Sequence, residues 1–312
     1  MAFQVRRYLF RSLTVTAVDD VSLTLKKGET LGIVGESGSG KTTLGRLSLR
    51  LLKPTAGRIL FNGDDITLAN DASLKVFRRR AQGIFQDPFS SIDPFMNVYQ
   101  ILEEPLLIHR IGNRNEKTEL IYETLEEAKL TPVKEFIAKY AHALSGGQKQ
   151  RLAIARALIL RPDYIVADEP VSMIDASSRA EVLYLARELQ ERHGMSFLYI
   201  THDIATARHF SHRIAVMYLG KIVELAPTSK LIDQPCHPYT QALISAVPSP
   251  DPANRFKDRP AISGEPPSPI HRPSGCHFHP RCPHFILGKC DVTEPPMTEI
   301  RESHYTSCHL YS

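Results

Sequence analysis

No apolar run in this 312-residue chain approaches the ~18 residues needed to span a bilayer, and the N-terminus opens without an apolar signal segment. Both absences argue against a membrane-spanning or secreted chain, so the expectation is a cytoplasmic one. A charge excess is missing too. A net charge of +4 over this length gives no electrostatic footprint for nucleic acid, and the run Arg78-Arg79-Arg80 reads as a solvated helix face. Cysteine is scarce, with five in all, and four of them stand together near the end: Cys276, Cys282, Cys290 and Cys308. Disulfides do not persist in a reducing compartment, which leaves metal ligands or free thiols as the readings of that cluster. No internal repeat is present. What remains is the composition of a globular protein, 42% hydrophobic and 23% charged, long enough for one sizeable core and a smaller appended module.

Residues 3–62 alternate apolar and polar in short runs such as "VSLTL" and "RILFNG", which predicts antiparallel strands around a first buried strand, "TLGIV". A strand "GIFQ" follows at 83–86. Residues 95–160 carry helical spacing, in "EKTELIYETLEEAKL" and "QKQRLAIARALIL" among others, and predict a helical subdomain. The strands "YIVAD" (164–168) and "FLYIT" (197–201) flank the helical "SRAEVLYLARELQERH", an alternation that predicts a parallel sheet. From about Asp233 prolines crowd in and periodicity disappears. The expected organisation is therefore an α/β domain over 1–232 and an irregular module over 233–312.

"GESGSGKTT" fits G-x-x-x-x-G-K-[ST], directly after the strand "TLGIV" and directly before a helical run. Its residues are Gly35, Glu36, Ser37, Gly38, Ser39, Gly40, Lys41, Thr42 and Thr43. The glycines permit a tight turn in which successive N–H groups face phosphate oxygens at a helix N-terminus. Lys41 would reach the β and γ phosphates of ATP, and the Thr42 hydroxyl would ligate Mg²⁺. Ligands of a parallel sheet bind at the carboxyl ends of its strands, and three of those ends carry useful side chains. Asp168 would hold Mg²⁺, Glu169 would deprotonate the attacking water, Gln86 would touch both the Mg²⁺ and that water, and His202 would hold the γ-phosphate. Taken singly, an Asp-Glu after a strand is common as a helix cap and a histidine at a strand end is usually structural. Their joint placement favours catalysis.

"LSGGQKQRLAIARAL" places Ser145, Gly146, Gly147 and Gln148 at the start of a helix, as a second anion site. A serine cap alone does not explain paired glycines, each costing up to about 1 kcal/mol in a helix. A second phosphate-binding helix end makes sense if it serves a nucleotide held by another subunit, which implies a dimer with ATP between its halves.

The phosphate loop, Gln86, "LSGGQ", "YIVADE", "SMID" (172–175) and His202 stand in the order and spacing of an ABC-type ATPase, which this chain resembles throughout. "IFQDPFSSIDP", "ITHDIATARHFSHRIAVMYLGKIVE" and "HPYTQALISAVPSPDP" resemble the ATP-binding subunits of oligopeptide/dipeptide importers, and "RRRAQGIFQDPFSSIDPFMNV" is nearer the second of the two paired ATPase subunits. The resemblance implies a P-loop fold with an antiparallel β subdomain and a helical subdomain. It implies ATP hydrolysis coupled to transport from the cytoplasmic face of the membrane. The implied partners are a second ABC ATPase subunit, two transmembrane permease subunits and, indirectly, an extracytoplasmic solute-binding protein, with no nucleic acid. Di- or oligopeptides are the implied cargo, with oligosaccharides and nickel chelates as alternatives. A non-transport ABC ATPase acting on nucleic acid or ribosomes is the rival reading; such proteins usually join two ATPase units or insert long coiled coils. Asp175 would reach across the dimer, although "SMID" departs from the commoner Ser-Ala-Leu-Asp. An aromatic ahead of the first strands would stack on adenine, Tyr8 first and Phe10 second. Phe89, Ile92, Phe95 and Met96 would either form a groove for a short permease helix or pack beneath the helical subdomain.

Four thiolates in the tail suit either tetrahedral Zn²⁺ or an iron–sulfur cluster. The spacings, with five, seven and seventeen residues between successive cysteines, contain no C-x₂-C knuckle of the kind common in zinc modules. The family resemblance adds weight to a [4Fe–4S] cluster. His277, His279, His284, His304 and His309 keep a mixed Cys/His zinc site open, and Cys236 reads as an ordinary thiol.

Overall fold

The computed structural model describes residues 1–7, 11–87, 92–247, 264–265 and 267–312. The chain opens on a hairpin, β1 (Ala2–Arg7) and β2 (Arg11–Thr16), paired from Ala2 opposite Thr16 to Arg7 opposite Arg11. The second antiparallel element is small: β4 (Leu60–Phe61) against β5 (Asp64–Asp65). "VSLTL" forms no strand. Its alternation is real as burial, because Val21, Leu23 and Leu25 pack inward while the residues between them face solvent. Period two reports which side is buried, not whether a neighbour supplies the ladder.

Among the described residues the central sheet has eight strands. Its parallel part comprises β3 (Thr30–Val34), β6 (Ala81–Ile84), β7 (Tyr164–Asp168), β8 (Ser196–Thr201) and β9 (Arg213–Tyr218). With β10 (Lys221–Pro227), β11 (Thr298–Arg301) and β12 (His304–Thr306) at one side, the order is β11-β12-β10-β9-β3-β8-β7-β6. Every residue of β3 and β8 is buried, the unbroken apolar character expected of strands covered on both faces. β6 begins two residues before the predicted "GIFQ", directly from helix α2 (Asp71–Arg80), so Gln86 lies just past the strand end. Between β3 and β6 stands α1 (Lys41–Ser48), which packs on β7 and β8. Register puts Val34 beside Thr201, and Asp168 beside Ile200. The carboxyl ends of β3, β7 and β8 therefore share one edge.

The helical subdomain builds its own core. Helices α3 (Val98–His109), α4 (Arg114–Glu127), α5 (Val133–Phe136) and α6 (Gly146–Leu158) meet through Ile101, Leu102, Leu106, Ile121, Leu125 and Leu152. Reciprocal capping boxes, Asn97 with Gln100 and Asn113 with Glu116, fix where α3 and α4 start. Helix α7 (Ala176–His193) then crosses from β7 to β8, and α8 (Ile204–Phe210) from β8 to β9.

Past β10 (Lys221–Pro227) come α9 (Thr228–Asp233) and α10 (Pro238–Ser245). The tail then returns to the main sheet. Its β11 (Thr298–Arg301) and β12 (His304–Thr306) pair with each other, and β12 pairs with β10 through Glu224 opposite Thr306 and Leu225 opposite Tyr305. The cysteine-bearing segment thus shares the sheet of the first domain. Strands of three and four residues are too short for any period to be read from sequence.

Candidate active site and cysteine cluster

The phosphate loop leaves β3 at Gly35 and enters α1 at Lys41. Two of its glycines are sterically obligatory. A Cβ at Gly35 would lie 2.1 Å from the Met217 carbonyl oxygen, and one at Gly40, held at φ 106°, would lie 2.1 Å from that of Ala17. The Lys41 ammonium is folded into the loop, donating to the carbonyls of Gly35 (2.7 Å) and Glu36 (2.8 Å) and to Ser39 Oγ (3.4 Å). Burial lowers its pKa, and the nearby charges of Glu169, Asp168 and Glu36 oppose that shift. Ser37, Gly38 and Thr42 are exposed at the rim, Thr43 is half-buried, and Ser39 is buried.

Glu169 sits in a left-handed backbone conformation, φ 47°, held there by its N–H donating to the Ile200 carbonyl at 2.8 Å. A non-glycine residue there signals local strain of the kind that gathers at functional sites. Its carboxylate meets two of the predicted partners: Gln86 Nε2 donates to Oε2 at 3.2 Å, and His202 Nδ1 lies 2.9 Å from Oε1. Asp168, next to it, is buried; the Thr42 side chain is near enough to its carboxylate to favour the charged form, and its Oδ1 has no hydrogen-bonding partner among the described residues. Burial raises the Asp168 pKa, while Thr42, Lys41 and Arg46 counter the rise. A buried carboxylate oxygen without a donor, beside a threonine hydroxyl and facing the phosphate loop, fits a divalent cation. Of the three side chains expected around Mg²⁺, Thr42 and Asp168 are together, and Gln86 is bonded instead to Glu169.

Ser145 caps α6 as anticipated. Its Oγ accepts from the Gln148 N–H at 3.3 Å, and Gln148 Oε1 accepts from the Ser145 N–H at 3.0 Å. Asp175 caps α7, accepting from the Ser178 N–H (2.9 Å) and Ser178 Oγ (3.0 Å). Both caps are exposed. Tyr8, Phe10 and Phe89 lie outside the described residues. Of the remaining apolar residues near the latter, Ile92 is buried in the helical core, Met96 packs against it, and Phe95 is 84% exposed. Packing beneath the helical subdomain accounts for Ile92 and Met96 and leaves Phe95 exposed.

In the tail, Cys290 and Cys308 are buried, and Cys276 and Cys282 are half-buried against the core that also holds Phe278. The Cys276 N–H donates to the Cys290 carbonyl at 2.8 Å. The four thiols are close enough for their charges to interact: burial pushes the Cys276 thiol up to about 11, and thiolates at Cys308, Cys290 and Cys282 would push it the same way. None is in a disulfide. Cys236 is elsewhere, within 4.8 Å of Glu224 and His304. The Glu224 oxygens there already accept from the N–H groups of Cys236 (2.8 Å) and His237 (2.9 Å) and pair with His304 Nε2 (2.7 Å). That group is a hydrogen-bond knot tying β12 to β10, with His304 Nδ1 and His237 Nε2 buried without a partner among the described residues.

Comparison with known proteins gives the same picture. Residues 18–172 match the family described as "ABC transporter", and residues 223–290 match "Oligopeptide/dipeptide transporter, C-terminal region". A peptide import ATP-binding protein of Brucella ovis is 48% identical over 97% of this chain and 94% of its own length. The chain is an ABC transporter ATP-binding protein of the oligopeptide/dipeptide family. The oligopeptide transport ATP-binding protein AppF of Bacillus subtilis is 47% identical over 99% of this chain and 94% of that one. Among solved structures, the dimeric post-hydrolysis state of the ATP-binding cassette MJ0796 bound to ADP and Pi superposes with a TM-score of 0.64 at 30% identity, covering 73% of this chain and 96% of that one. An ABC ATPase therefore carries the Lys41–Asp168–Glu169 constellation, and the kinship with import proteins removes the non-transport rival. The C-terminal family match includes Cys276, Cys282 and Cys290 and stops short of Cys308.

Two contacts were not legible in sequence. The Glu36 N–H donates to the Tyr239 hydroxyl at 2.9 Å, and the Glu36 carboxylate pairs with Arg281 of the cysteine tail. The partners lie 203 and 245 residues apart. An arginine just before a cysteine, in a segment otherwise made of Cys, His, Phe and Pro, was the one available signal.

Proposed function

We propose that this chain is the hydrolysing subunit that powers peptide import, paired with a second ABC ATPase subunit and docked on two permease subunits at the cytoplasmic face of the membrane, with an extracytoplasmic solute-binding protein delivering the cargo. The observation that carries the reading is the Glu169 carboxylate, held between Gln86 and His202 and facing the Lys41 loop. In that position it takes a proton from a water whose oxygen bonds to the γ-phosphorus as the bond to the bridging oxygen breaks, releasing ADP and phosphate. Gln86 and His202 hold the carboxylate in place, and Lys41 moves from its loop carbonyls to the phosphate oxygens. Asp168 and Thr42 would hold Mg²⁺, which when bound neutralises phosphate charge. No helix of the described residues is long and apolar enough to cross a membrane, so membrane attachment in this reading comes from the permeases. Exposed Phe95 is available to them. Co-purification of permease subunits with the tagged chain tests this; a preparation bound to nucleic acid and free of membrane subunits would contradict it.

The two-subunit site rests on Gly146 and Gly147. A Cβ on Gly146 would find its nearest neighbour at 3.6 Å and one on Gly147 at 3.4 Å, ordinary contacts within this chain. The chain's own packing would admit a Cβ at either position, so the glycines are read as clearance for a partner-bound phosphate approaching the helix start. Ser145→Arg is expected to suppress turnover at the site whose phosphate loop belongs to the partner, by tenfold or more if one charge-assisted contact set is lost. Site-resolved trapping of nucleotide checks this. Loss confined to this chain's own phosphate loop would contradict the composite site.

Cys276, Cys282, Cys290 and Cys308 are proposed to hold one metal centre, with a [4Fe–4S] cluster favoured over Zn²⁺. Among the described residues, no three of these sulfurs come within 4.8 Å of one another. A single zinc with bonds of about 2.3 Å would draw them to roughly 3.8 Å. Two of the histidines needed for a mixed site are engaged elsewhere: His304 with Glu224, and His309 with the Thr293 carbonyl at 2.8 Å. The centre would be structural, tying together a segment with little apolar periodicity of its own.

A further inference from the structure

Between the first two tail cysteines runs "HFHPR", and two of its residues point into the nucleotide-binding domain. Phe278 is fully buried, its ring 5.3 Å from Tyr218 and 5.3 Å from Tyr239. Arg281, also buried, forks onto Glu36 of the phosphate loop, Nη1 to Oε2 at 2.9 Å and Nη2 to Oε1 at 3.2 Å, with Nη1 also 3.4 Å from the Tyr218 hydroxyl. From the same side, the Tyr239 hydroxyl receives the Glu36 N–H. Glu36 is thus held at both backbone and carboxylate by residues that belong to the C-terminal region.

Glu36 also has a competing cation. Its carbonyl accepts from the Lys41 ammonium, and its carboxylate is near enough to favour the charged form of Lys41. A carboxylate free to turn toward Lys41 would occupy the ammonium that must bind phosphate and would add a negative charge beside the nucleotide. A bidentate guanidinium is the side chain best suited to holding it away, because the planar fork fixes direction as well as charge.

We propose that Arg281 is a positioning residue for ATP binding: the cysteine tail reaches back through it to hold Glu36 off Lys41, so that nucleotide affinity at this site depends on how the 276–282 loop is held. The proposal rests on the ATPase reading of the phosphate loop. Whatever fixes Cys276 and Cys282 fixes Arg281 between them, and the Phe278 ring set against Tyr218 and Tyr239 seats the loop.

The test is equilibrium binding of a fluorescent ATP analogue with Mg²⁺ to the full chain, alongside steady-state kinetics. Arg281→Gln is expected to weaken binding about tenfold and to raise KM in proportion, with kcat within about twofold, since the charge-assisted pair sets the loop and not the chemistry. The double variant Arg281→Gln with Glu36→Gln should recover most of the affinity, because it removes the carboxylate that Arg281 restrains. A purely packing role would show no such rescue. Tyr239→Phe provides a second route, with faster hydrogen exchange expected at the Glu36 amide. Arg281→Gln affinity within twofold of wild type, or a loss that Glu36→Gln fails to relieve, would overturn the proposal while leaving the ATPase reading intact. A wild-type chain that binds no nucleotide would overturn both.

Discussion

Glu169→Gln is expected to lower ATP turnover at this site by a hundredfold or more, the usual scale for loss of a general base, while leaving ATP binding intact. The reason is geometric. In this reading Lys41, the loop amides and the Asp168–Thr42 pair would make the phosphate and cation contacts, and no hydrogen bond of Lys41 runs to Glu169. A glutamine is the same shape and keeps the Gln86 contact, but it cannot accept the proton of the attacking water. The variant should therefore accumulate ATP-bound closed dimers, because ATP contacts favour closure and only hydrolysis releases it. Single-turnover hydrolysis and size-exclusion with ATP check the two halves of this expectation. Turnover near the wild-type rate would remove Glu169 from the role of base and leave His202, 2.9 Å away, as the group to test next.

The second large effect concerns the tail. Anaerobically prepared chain is expected to be brown with about four irons and four sulfides, and Cys282→Ser is expected to lose the colour and metal together. Cys276 and Cys282 pack against the central core, and the segment between them carries Phe278. Losing the centre should therefore expose residues 267–312 to protease well before the nucleotide-binding core opens. Acidification should act in the same direction. Burial holds the Cys276 thiol up at about 11 in the metal-free chain, so metal must displace protons to bind and a falling pH favours their return. Iron and sulfide assay, limited proteolysis and metal release against pH are the measurements. Colourless protein with one zinc per chain would replace the cluster with zinc; metal-free wild-type protein that resists protease would end the proposal of a metal centre.

How much of this was readable in the sequence depended on how local the signal was. The phosphate loop, the strand ending in Asp168 and Glu169, and the Ser145 helix start are each written in a few consecutive residues. In the phosphate loop, backbone geometry leaves little choice of residue, as the Cβ distances at Gly35 and Gly40 make plain. The parallel sheet followed from two strands flanking a helical run, and its strands β3 and β8 are buried throughout. The divided fate of Ile92, Phe95 and Met96 was not readable, because a proline-broken apolar run has no period from which to assign a buried side. Val21, Leu23 and Leu25 alternate as a strand would and bury the predicted side, yet no ladder forms there. Least legible were the contacts made across the chain: β12 on β10, Glu224 with His304, and Arg281 with Glu36, the last two spanning 80 and 245 residues. Pairs at that separation leave no pattern in one sequence.

The most direct test of the account is peptide uptake into proteoliposomes that contain the chain with its partner ATPase, both permeases and a peptide-loaded binding protein, with ATP supplied on the side of the ATPases. Labelled peptide should accumulate only with hydrolysable ATP, and uptake should collapse with Glu169→Gln in this chain. Vigorous ATP hydrolysis with no peptide movement, or uptake indifferent to Glu169→Gln, would contradict it.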